Sequence, residues 1–492
     1  MIRLTALSAS LVLAYASSVT LSVTRLPVRD VIGTLISSNP PGSQLPVGDE
    51  ALLGARRADR EGRGPDGKLA QLSVAEHQRR AHIYMTNRAF AEAREHWQAI
   101  IERYPNDTSA PAALYGMGRS YFQERSYTES LPFFERLARD YATWKEGREG
   151  LYSAATALLR LGRASEAAAR FREYTERFPQ GERIENAYLN VIDSLREAGQ
   201  PQQAITWIAL TREKFAGSVT DTNALFARLR LDVAGGDWQH AIQTCDELRK
   251  ATFKSGVMTS ADEVAYLRAY SLQRAGRTEE AINAYLNIPD NGSSYYGALA
   301  TTRLLAISSA SKRPDVLARV RAASASINTH ARQYPAPYRE TILRATAGRK
   351  VDPRFVLAII RQESSFRPRA RSTAAARGLL QLTIDTAAKY STRTGLKNLP
   401  EDELYRPETS ILIGSEYLSE LTGLFPDLPE AVAAAYNGGE DNVARWVKRA
   451  VHNDAGVFTS EIGFAETKDY VAKVMSNYRA YRQLYTTDLR PR

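Results

Sequence analysis

The sequence predicts an all-α protein in which a long series of helical repeats precedes a compact helical domain. Small residues recur at intervals of 37 positions through the first half of the chain, which indicates repeated helix pairs. Apolar residues recur at three- and four-residue spacing within each unit, as amphipathic helices require. The last part of the chain lacks the alternation of apolar and polar residues that is typical of strands.

Size and composition favour a soluble protein of several domains. With 492 residues the chain is long for one domain, and two or more are expected. Its 43% hydrophobic and 24% charged residues are ordinary for a globular protein. The net charge of +10 favours an anionic partner. Lysines and arginines form no compact run, so we do not expect that partner to be a nucleic acid.

Cysteine and histidine give little sign of redox or metal chemistry. Cys245 is the only cysteine, so no intrachain disulfide can form, and cysteine content neither supports nor excludes export. His77 and His82 are the only histidines close in sequence, and at five positions apart they point to different sides of a helix. We therefore expect no metal site.

The amino terminus resembles a targeting segment, and residues 1–16 are predicted to be a removed export signal. Arg3 precedes an uncharged stretch, and Ala14-Tyr15-Ala16 fits the small residues that a cleavage site requires. The alternative is an uncleaved membrane anchor that continues to Thr24, although its many serines and threonines make it a weak one. Either way, we expect an exported protein of the periplasm or cell envelope.

Residues 25–70 are predicted to be a flexible linker. They are rich in proline, glycine, serine and charge, as in Asn39-Pro40-Pro41-Gly42-Ser43, and they lack hydrophobic periodicity.

Residues 75–325 are predicted to form the repeat domain. The equivalent small residues are Ala93, Ser130, Ala167, Ala204, Ala241 and Ala281. Glycine stands five positions before the last four of these, at Gly162, Gly199, Gly236 and Gly276. Small residues let paired helices approach, and glycine allows the turn between them. One pair cannot bury its own apolar faces, so the pairs must stack into a superhelix. The pattern resembles tetratricopeptide-like repeats, and the domain is expected either to be a scaffold or to bind polymers or cell-envelope proteins.

The second domain is predicted over residues 335–485. Tyr334-Pro335-Ala336-Pro337-Tyr338 cannot be regular helix, because proline removes a donor and restricts its predecessor, so a junction is expected near residues 325–345. Asp352-Pro353 is a favourable helix start, and the residues after it are nearly all apolar.

Glu363 is the candidate catalytic residue. It lies at the end of this apolar helix, before Ser364-Ser365, and Gly378-Leu379-Leu380-Gln381-Leu382 follows. A carboxyl group among apolar and small neighbours is poorly solvated, so its pKa rises. Such a group can hold a proton near neutral pH and donate it to a leaving oxygen, as glycosidic bond cleavage requires.

Five motifs occur in the order and spacing that resemble soluble lytic murein transglycosylases, and together they cover the predicted second domain. They are Glu363-Ser364, Ser372, Gly378-Leu379-Leu380-Gln381, Ala435-Tyr436-Asn437-Gly438-Gly439 and Glu466-Thr467-Lys468-Asp469-Tyr470-Val471. The helical repeats resemble the superhelical region that precedes the catalytic domain in that family.

The resemblance implies a lysozyme-like α-helical catalytic domain, akin to goose-type lysozyme. It implies cleavage of the bond between N-acetylmuramic acid and N-acetylglucosamine in peptidoglycan, without cofactor or metal. Glu363 would act twice, first donating a proton to the glycosidic oxygen and then accepting one from the C6 hydroxyl of muramic acid. The product would carry a 1,6-anhydro end. Peptidoglycan strands are the implied partner, and we expect a monomer.

The resemblance also assigns four residues to substrate binding, each with an alternative. Ser372 and Gln381 would hydrogen-bond near the reacting sugar, or hold a local turn. Tyr436 would offer its phenol to the intermediate or to the glutamate, or pack in the core. Glu466 would face the substrate, or form an ion pair on its helix.

Other positions are expected to be structural or depart from the family. Asn437 should belong to a turn and Tyr470 should pack in the core. Where the family usually has methionine, this chain has Leu380 and Thr383, and Gly438 stands where alanine is common. The threonine puts the strength of glycan binding in doubt.

Two other functions stay open from the residues alone. One is a hydrolysing muramidase of similar fold, in which water replaces the C6 hydroxyl as nucleophile. The other is a non-catalytic repeat scaffold that binds glycan or envelope proteins.

Overall fold

The computed structural model describes residues 47–396 and 399–492. Regular structure in these ranges is helical, with extended pairing limited to three isolated bridges. The prediction of an all-α protein is confirmed. In the same ranges, no helix has the length and apolar character needed to cross a membrane. The predicted export signal, the alternative anchor to Thr24 and residues 25–46 of the predicted linker lie outside the described residues.

The first fifteen α-helices form the amino-terminal part of the molecule. They are α1 Val47–Gly62, α2 Val74–Thr86, α3 Phe90–Arg103, α4 Ala110–Gln123, α5 Tyr127–Asp140, α6 Lys145–Arg160, α7 Ala164–Arg177, α8 Ile184–Glu197, α9 Pro201–Lys214, α10 Val219–Gly235, α11 Trp238–Leu248, α12 Ala261–Arg274, α13 Thr278–Leu286, α14 Tyr295–Ile307 and α15 Arg313–Thr329.

The remaining eight build the carboxy-terminal part. They are α16 Arg339–Thr346, α17 Pro353–Ser364, α18 Ile384–Ser391, α19 Pro407–Leu424, α20 Pro429–Gly438, α21 Glu440–Arg449, α22 Ala455–Glu461 and α23 Ala465–Leu484.

Helices α2 to α13 are six consecutive pairs, and sequential helices pack against each other along the whole series. The six small residues of the 37-residue pattern all lie in the second helix of a pair, and each is fully buried. Any larger side chain there would push the paired helices apart. The predicted solenoid of helix pairs is confirmed.

The turns between paired helices require a left-handed residue. Gly162 and Gly199 adopt φ of 74° and 70°, as the spacing predicts. In the first two pairs the equivalent positions hold Arg88 and Arg125, which adopt φ of 61° and 67°. A non-glycine residue in this conformation costs roughly 1 kcal/mol or more, so these two arginines need a compensating contact.

In the carboxy-terminal part, α17 is the central helix. All six residues at positions 355–360 are buried, and α17 packs along α23. The Asp352 side chain caps α17 by accepting a hydrogen bond from the Arg354 amide at 2.8 Å, as the sequence predicts.

The flexible linker predicted over residues 25–70 is wrong for its second half. Residues 47–62 form α1, and Leu52 on this helix is fully buried. The helix is held by charge as well as by apolar contact, because Asp49 forms ion pairs with Arg371 and Arg377 in the second domain. Partners far along the chain stabilise this segment, so its local composition did not predict that it forms a docked helix.

The solenoid closes on the second domain at several points around its length. The ionic and polar contacts are Arg88 with Asp385, Arg125 with Glu440, Arg196 with Glu461, Glu197 with Arg445, Tyr266 with Asp454, and Asp290 with Arg479. Val457 of the second domain also packs in the apolar core of the solenoid. Both ends and the middle of the solenoid therefore contact one compact domain.

The Asp49 contact generates a testable expectation for stability. Arg377 is fully buried, and in Asp49→Ala its nearest remaining carboxylate is Glu401 at 3.3 Å. Removing one partner of a buried ion pair typically costs about 3–5 kcal/mol. We expect Asp49→Ala to lower the free energy of unfolding by about 3 kcal/mol in urea denaturation. Glu166→Ala, which breaks an exposed pair with Arg163, should lower it far less, because solvent screens that pair. Equal effects of the two substitutions would contradict the docking of α1 by charge.

Candidate active site

Glu363 lies in the last turn of α17, where a buried helix reaches the edge of the domain core. The helix ends because Ser365 adopts the left-handed conformation at φ 49°, and Phe366 follows at φ 62°. Two successive non-glycine residues in this region are unusual, and such strain concentrates at functional sites. The break in the helix turns the chain away just after the carboxyl group.

The Glu363 carboxyl is nearly inaccessible, with 2% of the residue exposed. Burial raises its pKa from 4.5 to about 8, because the charged form loses its hydration. A hydrogen bond donated by the Tyr470 hydroxyl at 2.7 Å opposes this rise, and the negative charge of Glu466 adds to it. Glu363 is therefore protonated at neutral pH, as a general acid must be.

Tyr470 has a larger role than sequence reasoning assigned to it. The side chain is buried in the core as predicted, but its hydroxyl is also the hydrogen-bond donor to Glu363 Oε1. The periodicity of α23 marks Tyr470 as an inward-facing residue and gives no information about its hydroxyl partner.

Tyr436 lies on α20, with its hydroxyl donating to the Leu380 carbonyl at 2.6 Å. Burial raises the pKa of its phenol well above the ordinary value, and negative charge on nearby Glu363 adds to the effect. The hydroxyl thus holds the segment before Gln381 in place and does not bind the glutamate directly.

Ser372 and Gln381 hold the turn that follows α17. Ser372 Oγ accepts from the Ala376 amide at 3.0 Å, which leaves its own hydrogen free to donate. Gln381 adopts φ 47°, and its Nε2 donates to the carbonyls of Ala370 and Gly378 at 3.0 and 2.9 Å. The turn-forming alternative is therefore realised for both residues, and each keeps one group for a ligand: the Ser372 hydrogen and the Gln381 Oε1.

Glycine is required within this turn. Gly378 has φ 78°, and a Cβ atom there would overlap the carbonyl oxygen of Leu404. Any other residue would push the backbone that carries Gln381 away from the core.

Glu466 and Asn437 differ in how they are held. Glu466 is half-buried in the first turn of α23 and forms no ion pair with any residue that the structure describes, so the ion-pair alternative is not realised. Burial raises its pKa, and the charge of Asp469 adds to the effect. Asn437 lies in the last turn of α20 and accepts from the Thr467 hydroxyl at 2.6 Å, a structural role.

A cavity of about 320 Å³ lies against this site, between the first repeats and the second domain. Gln381, Thr383 and Tyr436 line it on one side, and Arg88 and Arg125 line it on the other. The solenoid therefore forms part of the wall of this cavity, which Glu363 itself does not line. Sequence reasoning missed the two arginines, although the absence of glycine at their positions in the repeat could have revealed them.

Among the residues that the structure describes, no group of three or more His, Cys, Asp or Glu side chains is placed to hold a metal ion. The protonated carboxyl group of Glu363 equips the site for proton transfer.

Comparison with known proteins agrees with this arrangement. Residues 340–458 match the model of the transglycosylase SLT domain, and residues 79–143 and 152–219 match tetratricopeptide repeats. A Haemophilus influenzae protein assigned as a soluble lytic murein transglycosylase is 38% identical over 151 residues, which is 30% of this chain and 25% of that protein. The soluble lytic murein transglycosylase of Escherichia coli K12 is 32% identical over 158 residues, 32% of this chain and 24% of that enzyme.

Membrane-bound lytic murein transglycosylase C of Salmonella arizonae is 34% identical over 154 residues, 27% of this chain and 43% of that protein. Among solved structures, an inactive mutant of lytic transglycosylase Slt from Pseudomonas aeruginosa has a TM-score of 0.48 at 22% identity, over 90% of this chain and 76% of the other. The chain spans about a quarter of the length of the soluble relatives it matches.

Fold and site together define an all-α chain in which helical repeats close around a compact domain, and in that domain burial raises the pKa of Glu363. The chain carries a transglycosylase SLT domain preceded by tetratricopeptide repeats.

The neighbours of Glu363 predict two pKa changes of opposite sign. Tyr470→Phe removes a hydrogen bond that favours the carboxylate, so the pKa of Glu363 should rise. Glu466→Gln removes a negative charge, so that pKa should fall. Carbon-13 NMR titration of labelled glutamate measures both, with Glu363→Gln to identify the resonance. Shifts in the same direction would contradict the assigned environment.

Burial of Glu363 also predicts how stability depends on pH. The folded pKa is raised above the unfolded value, so its contribution is full below about pH 4.5 and is lost as pH rises towards about 8. Between these values the wild type should lose about 1.4 kcal/mol per pH unit relative to Glu363→Gln. Urea denaturation of both proteins across this range measures the difference. A difference that stays constant with pH would show that the carboxyl group is not desolvated.

Proposed function

We propose that this chain is a peptidoglycan lytic transglycosylase. It cleaves the β-1,4 bond between N-acetylmuramic acid and N-acetylglucosamine without water and leaves 1,6-anhydro ends. The observation that carries the proposal is the buried Glu363 carboxyl, whose raised pKa keeps it protonated near Tyr436, a residue that lines the first cavity. The SLT domain match and the names of the relatives support the same activity.

In the first step, protonated Glu363 donates its hydrogen to the glycosidic oxygen. The bond from that oxygen to C1 of muramic acid breaks, and positive charge develops at C1. The resulting Glu363 carboxylate lies in a poorly hydrated site, where it stabilises that charge more strongly than it would in water.

In the second step, the muramic acid C6 hydroxyl attacks C1 and gives its proton to the Glu363 carboxylate. The 1,6-anhydro ring forms, and the acid is restored for the next cycle. An intramolecular nucleophile of this kind can have an effective molarity of roughly 10⁵ M or more, so no activated water is needed.

The anhydro route makes smaller demands on the site than hydrolysis does. Glycosidases that use water or a covalent intermediate need two carboxyl groups, about 5–9.5 Å apart. Glu466 is the carboxyl group whose negative charge acts on Glu363, and the product analysis below decides whether it serves as the second one. The C6 hydroxyl requires only Glu363.

Four side chains would position the sugar in this reaction. The Ser372 hydroxyl and Gln381 Oε1 are free to hydrogen-bond the glycan, and the Tyr436 ring forms part of the cleft wall. Glu466, unpaired and half-buried, would accept from a sugar hydroxyl. We further propose an exported protein of the periplasm or cell envelope, with a repeat domain over residues 75–325 and a catalytic domain over residues 335–485.

Product analysis tests the activity. Purified protein is incubated with insoluble peptidoglycan, and the soluble products are identified by mass spectrometry. We expect anhydromuramic ends from the wild type and a loss of turnover of at least about 10³-fold in Glu363→Gln, since that substitution removes both proton transfers. Ser365→Ala, which alters the neighbouring turn but leaves the acid in place, is the matched control and should retain most activity. Reducing muramic ends would identify a hydrolase instead, and unchanged lysis by Glu363→Gln would exclude this mechanism.

A further inference from the structure

A second cavity, of about 370 Å³, lies between the inner side of the solenoid and the second domain. Residues from α6, α7, α8 and α10 form its solenoid wall, and residues from α21 and the segment before α23 form the opposite wall. Neither Glu363 nor the four proposed substrate-binding residues line it. Its volume falls within the range of sites that bind small ligands.

Three arginines on the walls of this cavity keep hydrogen-bond donors without a protein partner. Arg160 forms no ion pair with any described residue and lies 5.6 Å from the Phe464 ring. Nε of Arg230 and Nη1 of Arg445 are buried without a hydrogen-bond partner. Buried donors of this kind are costly to leave unsatisfied, so a ligand that accepts from them would relieve the cost.

Positive charge exceeds negative charge around the cavity. The charged groups that meet there are Arg160, Arg196, Arg230, Arg445 and Arg449 against Asp193, Glu197 and Glu461. Lys468 is paired with Glu263 at 3.0 Å and adds no net charge. Burial, together with the positive charge of Arg445, lowers the pKa of Arg160 to about 10. An anion in the cavity would balance the excess of positive charge and would raise the pKa of Arg160 again.

The cavity also offers one unused acceptor. Asn442 Nδ2 donates to the Gly438 carbonyl at 2.6 Å, which fixes the orientation of the amide. The other terminal atom of this side chain is therefore the oxygen Oδ1, which is buried without a hydrogen-bond partner. The side chains of Leu159, Phe171 and Trp446 make much of the remaining wall apolar.

We propose that this cavity binds the free carboxylate end of a short peptide with small apolar side chains. The guanidinium groups of Arg160, Arg230 and Arg445 would bind the carboxylate, because planar N–H pairs match its two oxygens. Asn442 Oδ1 would accept from a peptide N–H. A sulfate ion would satisfy the arginines but has no hydrogen to donate to Asn442.

The peptide has two sources. It is either a free oligopeptide or a stem peptide still attached to glycan, and only the second source rests on the proposed function. In that case the solenoid would hold the peptide of a strand while the SLT domain cuts the sugar chain. Glu363→Gln protein is used for the binding measurements, so a failure of catalysis does not affect them.

Isothermal titration calorimetry with N-acetyl-Ala-Ala as the free acid tests the site. We expect binding of the acid, at least tenfold weaker binding of its C-terminal amide, and at least tenfold weaker binding of sodium sulfate. Equal binding of the amide would overturn the proposal, as would equal binding of sulfate or no binding of the acid. This comparison needs no substitution in the cavity.

Arg160→Leu then locates the binding site. Arg160 has no carboxylate partner, so its removal leaves no buried negative charge unpaired, and we expect at least a tenfold loss of affinity. Arg119→Leu is the matched control, because Arg119 also lies over an aromatic ring, 5.9 Å from Tyr115, but outside the cavity. Unchanged affinity in Arg160→Leu would overturn the assignment. A soluble disaccharide-peptide that binds more tightly than the dipeptide, and loses affinity in Arg160→Leu, would identify the stem peptide as the source.

Discussion

The removal of water from one carboxyl group is the physical constraint on which the site depends. Glu363 lies at the end of helix α17, in which all residues at positions 355–360 are buried. The packing of α17 on α23 closes the space around the carboxyl group. Among the described residues, the hydrogen bond that favours its charged form comes from Tyr470. If α17 were more exposed, Glu363 would ionise near its ordinary pKa and could not act as an acid at neutral pH. The fold therefore gives up stability at neutral pH to keep this proton.

Charge pairs join the solenoid to this domain, alongside an apolar contact in which Val457 packs in the core cluster of the solenoid. Asp49 reaches a fully buried arginine, and Glu461 lies among three arginines from both domains. Buried ion pairs add little net stability compared with apolar packing, but a buried charge that loses its partner destabilises the fold. Such contacts specify one arrangement of the two domains. Arg377 is directly connected to the turn that holds Ser372 and Gln381, so docking of α1 also supports the site.

The sequence predicted the features that depend on a local repeat or on a motif. The 37-residue spacing located the buried small residues, and the apolar run before Glu363 predicted its desolvation. It failed for contacts between distant segments. The composition of residues 47–62 did not predict a buried helix. The segment is held in place because Asp49 binds arginines more than three hundred positions away. The contact of the Tyr470 hydroxyl joins two helices of the second domain that are distant in sequence. The arginines around the second cavity meet only where the solenoid closes on that domain.

Arg88 and Arg125 show how the repeat pattern and the cleft are connected. Glycine would satisfy the left-handed turns of the first two pairs at no steric cost, as it does in the later ones. Arginine instead reaches across to the second domain, where Arg88 forms two bonds of 2.7 Å to Asp385 and Arg125 lies 2.7 Å from Glu440. Partly buried contacts of this geometry offset a backbone strain of roughly 1 kcal/mol each. The turns of the first two repeats thus form part of the wall of the first cavity. A solenoid that served only as a spacer would not require arginine at these positions.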